Sequence, residues 1–172
     1  MLVNLSDVLT TQGKTMKTEV PIELERFMSR MGNFKVLNKE TVSLELSNFG
    51  IGKAMVKGST KMSFSTRCDR CLTNVVTDLD IEFERLVTAP DVETEDEESR
   101  DYMEGYQLDV EALMQNEILV NWPVKILCKE DCKGVCPKCG QNRNTGDCGC
   151  DTFVPDPRMA VLKDIFNANK EV

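Results

Sequence analysis

Residues 128–150 read CKEDCKGVCPKCGQNRNTGDCGC, and the spacing of their sulfurs decides how the rest of the chain is understood. Cys128, Cys132, Cys136, Cys139, Cys148 and Cys150 follow the pattern C-x3-C-x3-C-x2-C-x8-C-x-C. Upstream, Cys68 and Cys71 add a C-x2-C pair, and the 172-residue chain has no histidine. Zinc takes four ligands in a tetrahedron, commonly offered as two short chelate pairs, so eight thiolates match two closed four-cysteine sites. Zinc is therefore the expected cofactor and all eight cysteines its expected ligands. Closed sites organise a fold and leave no open coordination position for catalysis.

Two other uses of cysteine compete with zinc. Disulfides need an oxidising compartment, and Met1-Leu2-Val3-Asn4 does not begin a charged region followed by an apolar one. Iron–sulfur clusters favour other spacings and often a proline after the last ligand, whereas here Pro137 follows Cys136, an early member of the run. Within the zinc reading, Cys136-Pro137-Lys138-Cys139-Gly140 has the form of a zinc knuckle. The glycine after its second ligand tolerates the positive φ of a tight turn. Asn142, Asn144 and Gly146 read as turn formers that return the chain to Cys148 and Cys150. Locality then leaves Cys68 and Cys71 to join Cys128 and Cys132, clamping a distant hairpin to the segment after Trp122. The competing partition groups Cys128, Cys132, Cys136 and Cys139, and pairs Cys68 and Cys71 with Cys148 and Cys150.

Outward from the cysteines, the hydrophobic period is two. Val42, Leu44 and Leu46, then Met62 and Phe64, then Leu79, Ile81 and Phe83 alternate with polar residues, as antiparallel strands with one buried face do. Cys68 and Cys71 fall at the turn of the last hairpin. Residues 20–31 fit either a strand (Val20, Ile22, Leu24) or a short helix (Ile22, Phe27, Met31). Asp109 is a natural N-cap for a helix carrying Val110, Leu113, Met114, Ile118 and Leu119 on one side and ending before Pro123. Asp156-Pro157 would open a terminal helix with Val161, Leu162, Ile165 and Phe166. The expected fold is α+β: an antiparallel β-sheet or partly open barrel in the N-terminal half, then a helix and a zinc-stapled C-terminal region. The expected divisions are a β-rich domain over 1–87, an acidic flexible loop over 88–106, and the helix, cysteine-rich region and terminal helix over 107–172.

The net charge of −8 is unevenly placed. Residues 1–87 and 122–172 each carry +1, so the acidity is confined to 88–121, where it reaches −10. PDVETEDEESRD, residues 90–101, holds one base among its acids and little that can repay ordering. No broad basic patch suited to phosphates is present, but Lys129, Lys133, Lys138 and Arg143 thread the cysteine run and form a possible RNA contact. No apolar stretch approaches the roughly 20 residues that span a bilayer, so a cytoplasmic protein without a membrane partner is expected. No histidine, phosphate-binding glycine loop or nucleophile motif is present, so neither enzymatic activity nor a small-molecule substrate is expected.

Taken in order, Cys68-Asp69-Arg70-Cys71-Leu72, the acidic gap, Leu108-Asp109, Trp122-Pro123, the run from Cys128 to Gly140, Asn142, Asn144, Cys148, Cys150 and Asp156-Pro157-Arg158 resemble the YceD family, the large ribosomal RNA subunit accumulation proteins. The resemblance covers residues 40–166; Trp122 and Arg143 depart from it, where leucine would be expected. It implies participation in accumulating or maturing large-subunit ribosomal RNA, without an established enzymatic activity. Some relatives lack the C-terminal knuckle and keep the first pair, which agrees with the local partition. The implied partner is large-subunit ribosomal RNA or a large-subunit ribosomal protein. A second class of function is a protein–protein adaptor whose acidic loop binds a basic, ribosomal protein.

Overall fold

The computed structural model describes residues 1–93 and 97–150; the terminal helix expected from Asp156 lies outside the described residues. The chain forms two compact units. One comprises Met1–Arg67 with Asn74–Ile126, and the other Cys68–Thr73 with Leu127–Val172.

The first unit is built on a six-stranded antiparallel sheet. Its strands are β2 (Thr15–Val20), β3 (Arg26–Ser29), β4 (Gly32–Lys39), β5 (Val42–Gly50), β6 (Lys53–Arg67) and β7 (Asn74–Thr88). The period-two pattern places the core as expected: Val42, Leu44 and Leu46 of β5, Met62 and Phe64 of β6, and Leu79, Ile81 and Phe83 of β7 are all buried. β6 is the central element. It pairs with β7 from Lys53↔Thr88 to Arg67↔Asn74, while its other edge is shared by β5 and then β4. Gly58 is needed within it, because a Cβ there would meet the ring of Phe83, which lies across the strand.

Neither reading of residues 20–31 holds as a whole: no helix forms, Val20 ends β2, Ile22 and Leu24 lie outside any strand, and only Arg26–Ser29 is strand. β3 forms a tight hairpin with β4, through which Phe27 enters the core. The partly open barrel is not formed. Among the described residues the sheet is open, with β2, β3 and β7 each paired to a single neighbour. Its apolar side is covered instead by helix α1 (Ser6–Thr10) and helix α2 (Val110–Val120): Leu5, which precedes α1, with Val8, Leu9, Leu113, Met114 and Ile118 joins one core, whereas Leu119, expected on the same face of α2, is exposed. Mostly antiparallel β structure with few helices is the observed form of the α+β expectation.

Asp109 caps α2 as anticipated, its carboxylate accepting from the N–H groups of Glu111 and Ala112. The residue also belongs to β9 (Gln107–Asp109), which pairs with β1 (Leu2–Asn4) and β8 (Met103–Glu104) in a small second sheet. Beyond the helix, Trp122 packs among Phe27, Phe34 and Phe64, with ring centroids 5.4, 4.5 and 5.2 Å away. An indole where leucine was expected thus completes an aromatic cluster.

The described part of residues 88–106, expected as a flexible acidic loop, is anchored at several points. Thr88 and Ala89 are fully buried, and a 3-10 turn covers Glu97–Arg100. Ser99, only 2% exposed, donates to the Thr88 hydroxyl at 3.0 Å. Composition is dominated by the exposed acids and does not register so few buried anchors.

Among the described residues of this unit one charged side chain is buried. Glu117 of α2 is 1% exposed and meets Arg85 of β7 at 2.8 Å. Removing one partner of such a pair strands the other, whereas replacing both by apolar groups is far milder. Arg85→Ala is expected to destabilise the unit by about 3 kcal/mol, and Arg85→Leu with Glu117→Leu by much less, in urea unfolding. A single substitution as mild as the double one would show that the pair carries no such constraint.

Candidate metal centre

All eight cysteines lie in the second unit, and their sulfurs form two groups. Cys68, Cys71, Cys128 and Cys132 make the first; Cys136, Cys139, Cys148 and Cys150 make the second. Within each group all ligand atoms lie within 4.8 Å of one another. This is the local partition, and the competing one is not formed.

The donor set fits zinc. A zinc–sulfur bond of about 2.3 Å gives a tetrahedral sulfur–sulfur edge of about 3.8 Å. Cys68 and Cys132 are 3.8 Å apart, and Cys71 and Cys128 3.5 Å. Four thiolates converging to these separations would repel one another strongly without a cation between them. Zinc held there would act as a structural cross-link.

Each group starts from the same backbone turn. In the first, the N–H of Leu72 donates to Cys68 O at 2.9 Å and that of Cys68 to Thr73 O at 2.9 Å. In the second, Gly140 N–H donates to Cys136 O at 2.9 Å and Cys136 N–H to Gln141 O at 2.8 Å. The residue after the second cysteine takes a positive φ in both, +74° at Gly140 and +62° at Leu72. Leu72 is a second knuckle written without its glycine. Its leucine sits in a conformation costing about 1–2 kcal/mol for an L-residue, and its side chain is 62% exposed.

The turns also tune the sulfurs. Burial opposes ionisation of Cys68, but backbone N–H groups of Cys128, Cys71 and Arg70 overcome it and hold the thiol down to about 6. Backbone N–H groups of Cys139 and Lys138 hold Cys136 down to about 6 in the same way. A sulfur that must share a proton with neighbours behaves oppositely. Cys71 and burial push Cys128 up to about 12, and Cys148 and Cys139 push Cys150 up to about 12. In the metal-free protein the leading cysteine of each knuckle is thus held toward the thiolate, while Cys128 and Cys150 are held toward the thiol.

Side chains outside the expected ligand set complete the surroundings. The hydroxyl of Thr73 stands 3.2 Å from Cys71 Sγ, and Arg70 donates to Cys132 O at 2.9 Å. Asn144 Nδ2 donates to Cys132 Sγ at 3.3 Å, and Asn142 Nδ2 to Thr73 Oγ1 at 3.1 Å. Sequence reasoning took both asparagines only as turn formers, because nothing local shows that Asn144 reaches a sulfur of the other group and Asn142 the hydroxyl beside another. Of the possible RNA contacts, Lys129, Lys133 and Lys138 are exposed and Arg143 is half-buried; Lys129 pairs with Asp131 at 3.6 Å.

An antiparallel β-protein with two four-cysteine groups suited to metal is the class that the fold and site define. Residues 56–166 match the family described as large ribosomal RNA subunit accumulation protein YceD, and the chain belongs to that family. No curated protein and no solved structure matches the chain.

Two outcomes test the centre. Zinc must displace protons still held by Cys128 and Cys150 at neutral pH, so apparent affinity should rise with pH. Below about 6 Cys68 and Cys136 also take up protons in the free protein, and the dependence should steepen. Chelator competition across that range measures it; a flat profile would contradict thiolate ligation. Leu72→Gly should keep the metal content and raise the unfolding free energy of the metal-bound form by about 1 kcal/mol. Destabilisation would mean that the positive φ there is not strained.

Proposed function

We propose that this protein is a non-enzymatic factor promoting the accumulation, processing or assembly of large-subunit ribosomal RNA, with zinc in two structural four-cysteine sites. Membership of the family carries the reading. The sulfur geometry supports the structural role of the metal, since each group offers four protein ligands and the tetrahedron is filled without solvent or substrate. Among the described residues no helix is long and apolar enough to cross a membrane.

The finer reading is that Lys129, Lys133, Lys138 and Arg143 make a local contact to RNA phosphates. Charge limits its extent. Along the cysteine segments Arg70 and these four alternate with Asp69, Glu130, Asp131 and Asp147, and each zinc tetrathiolate would add about −2. The lysines thus partly offset the thiolates, and what remains suits a few phosphates rather than a broad basic groove.

Loss of the protein is expected to lower mature large-subunit ribosomal RNA relative to small-subunit RNA. Reversing the four charges to glutamate should weaken co-sedimentation with precursor particles and flatten its salt dependence, because fewer counterions are released. Unaltered RNA ratios in a null strain would contradict the function. An unchanged salt slope in the charge-reversed protein, with binding lost on replacing the acids of residues 91–101 by amides, would favour a protein adaptor instead.

A further inference from the structure

The spacer between Cys139 and Cys148 belongs by sequence to the second sulfur group, yet its side chains serve the first. We infer that Asn142 and Asn144 couple the two sites: the loop closed by the second group supplies the amide donors that hold Cys132 and, through Thr73, Cys71. Zinc in the first site is then retained tightly only when the second site is loaded. The inference rests on the zinc reading above and goes beyond it, because two independent closed sites would need no such link.

The network fixes its own orientation. Asn144 Oδ1 accepts from the backbone N–H of Lys133 at 2.9 Å, which turns its Nδ2 toward Cys132 Sγ at 3.3 Å. The same Nδ2 lies 2.8 Å from Asn142 Oδ1, which also accepts from the Asn144 N–H at 2.9 Å. With its oxygen committed twice, Asn142 presents Nδ2 to Thr73 Oγ1 at 3.1 Å. The same Thr73 Oγ1 accepts from Cys71 Sγ, 3.2 Å away, so the amide of Asn142 places the oxygen that meets this sulfur. Two of the four sulfurs in the first group therefore depend on one pair of amides.

The backbone explains why those amides answer to the second site. Cys136 N–H donates to Gln141 O at 2.8 Å and Arg143 N–H to Gly134 O at 2.9 Å, so the loop leaves the second knuckle in a fixed direction. Thr145 closes it from N–H and hydroxyl onto Asn142 O, at 3.2 and 2.8 Å. Its return end is set by Cys148 and Cys150, whose positions depend on their shared metal. An amide N–H donated to a thiolate is a charge-assisted bond that spreads the −2 charge of a zinc tetrathiolate, and outer partners of this kind typically alter metal affinity 10–100-fold.

Asn144→Asp keeps an acceptor for Lys133 and removes the Nδ2 donations to Cys132 and Asn142, the two bonds that carry the proposed coupling. Zinc release from the purified full chain to a chromogenic chelator reads the effect. The wild type should yield two equivalents, and Asn144→Asp should also carry two but release one about tenfold faster. Cys148→Ser should retain one equivalent, itself released faster, and adding Asn144→Asp should accelerate it little further, since both changes remove the same support. In Cys68→Ser, where only the second site remains, Asn144→Asp should leave release unchanged. Asn142→Asp and Asn144→Ser repeat the test if the first variant folds poorly. Wild-type release rates in these asparagine variants, or multiplicative effects of Cys148→Ser and Asn144→Asp, would overturn the coupling. Absence of zinc from the wild type would instead overturn the metal reading itself.

Discussion

The sheet depends on the unbroken ladder between β6 and β7, in register from Lys53↔Thr88 to Arg67↔Asn74. Because side chains alternate faces along a strand, a slip of one residue would turn Phe64, Leu79, Ile81 and Phe83 out of the core. The same register ends the hairpin at Arg67 and Asn74, leaving the six residues Cys68–Thr73 to make the turn. Burial in the sheet thereby determines where the first cysteine pair stands along the chain.

That turn is where the sequence departs from the rule its partner obeys. Gly140 adopts a positive φ without steric cost, and Leu72 adopts nearly the same φ with it. Both turns share the backbone hydrogen bonds that aim N–H groups at the leading cysteine. The knuckle is thus defined by sulfur and amide geometry, and glycine is its least expensive solution rather than a requirement. The two turns supply half of the sulfurs; the others arrive from Cys128, Cys132, Cys148 and Cys150, and their spacing explains why locality selects the observed partition.

Much of the sheet was legible because burial on one face imposes a period of two on Val42–Leu46, Met62–Phe64 and Leu79–Phe83. Asp109 was legible for a similar reason, since a cap is a local event between a carboxylate and nearby N–H groups. Residues 20–31 fit two periods, and only pairing with Asn33–Lys35 across a tight turn made Arg26–Ser29 a strand. Barrel closure depends on which distant edges meet, and no window of sequence contains that. In the described part of the acidic segment, composition registers the exposed charges and not the buried groups Thr88, Ala89 and Ser99 beside them. Around the cysteines the ligands were legible from spacing, whereas Asn144 reaches Cys132 of the other group and Asn142 reaches the hydroxyl of Thr73, far away along the chain.

The central claim is that eight sulfurs and nothing else surround two zinc ions. X-ray absorption at the zinc edge of protein purified without added metal tests it most directly. The account predicts a single shell of four sulfurs at about 2.3 Å for the average zinc, with no nitrogen or oxygen neighbour. A nitrogen or oxygen neighbour at about 2.0–2.1 Å would contradict it, as would an iron signal with short iron–iron distances.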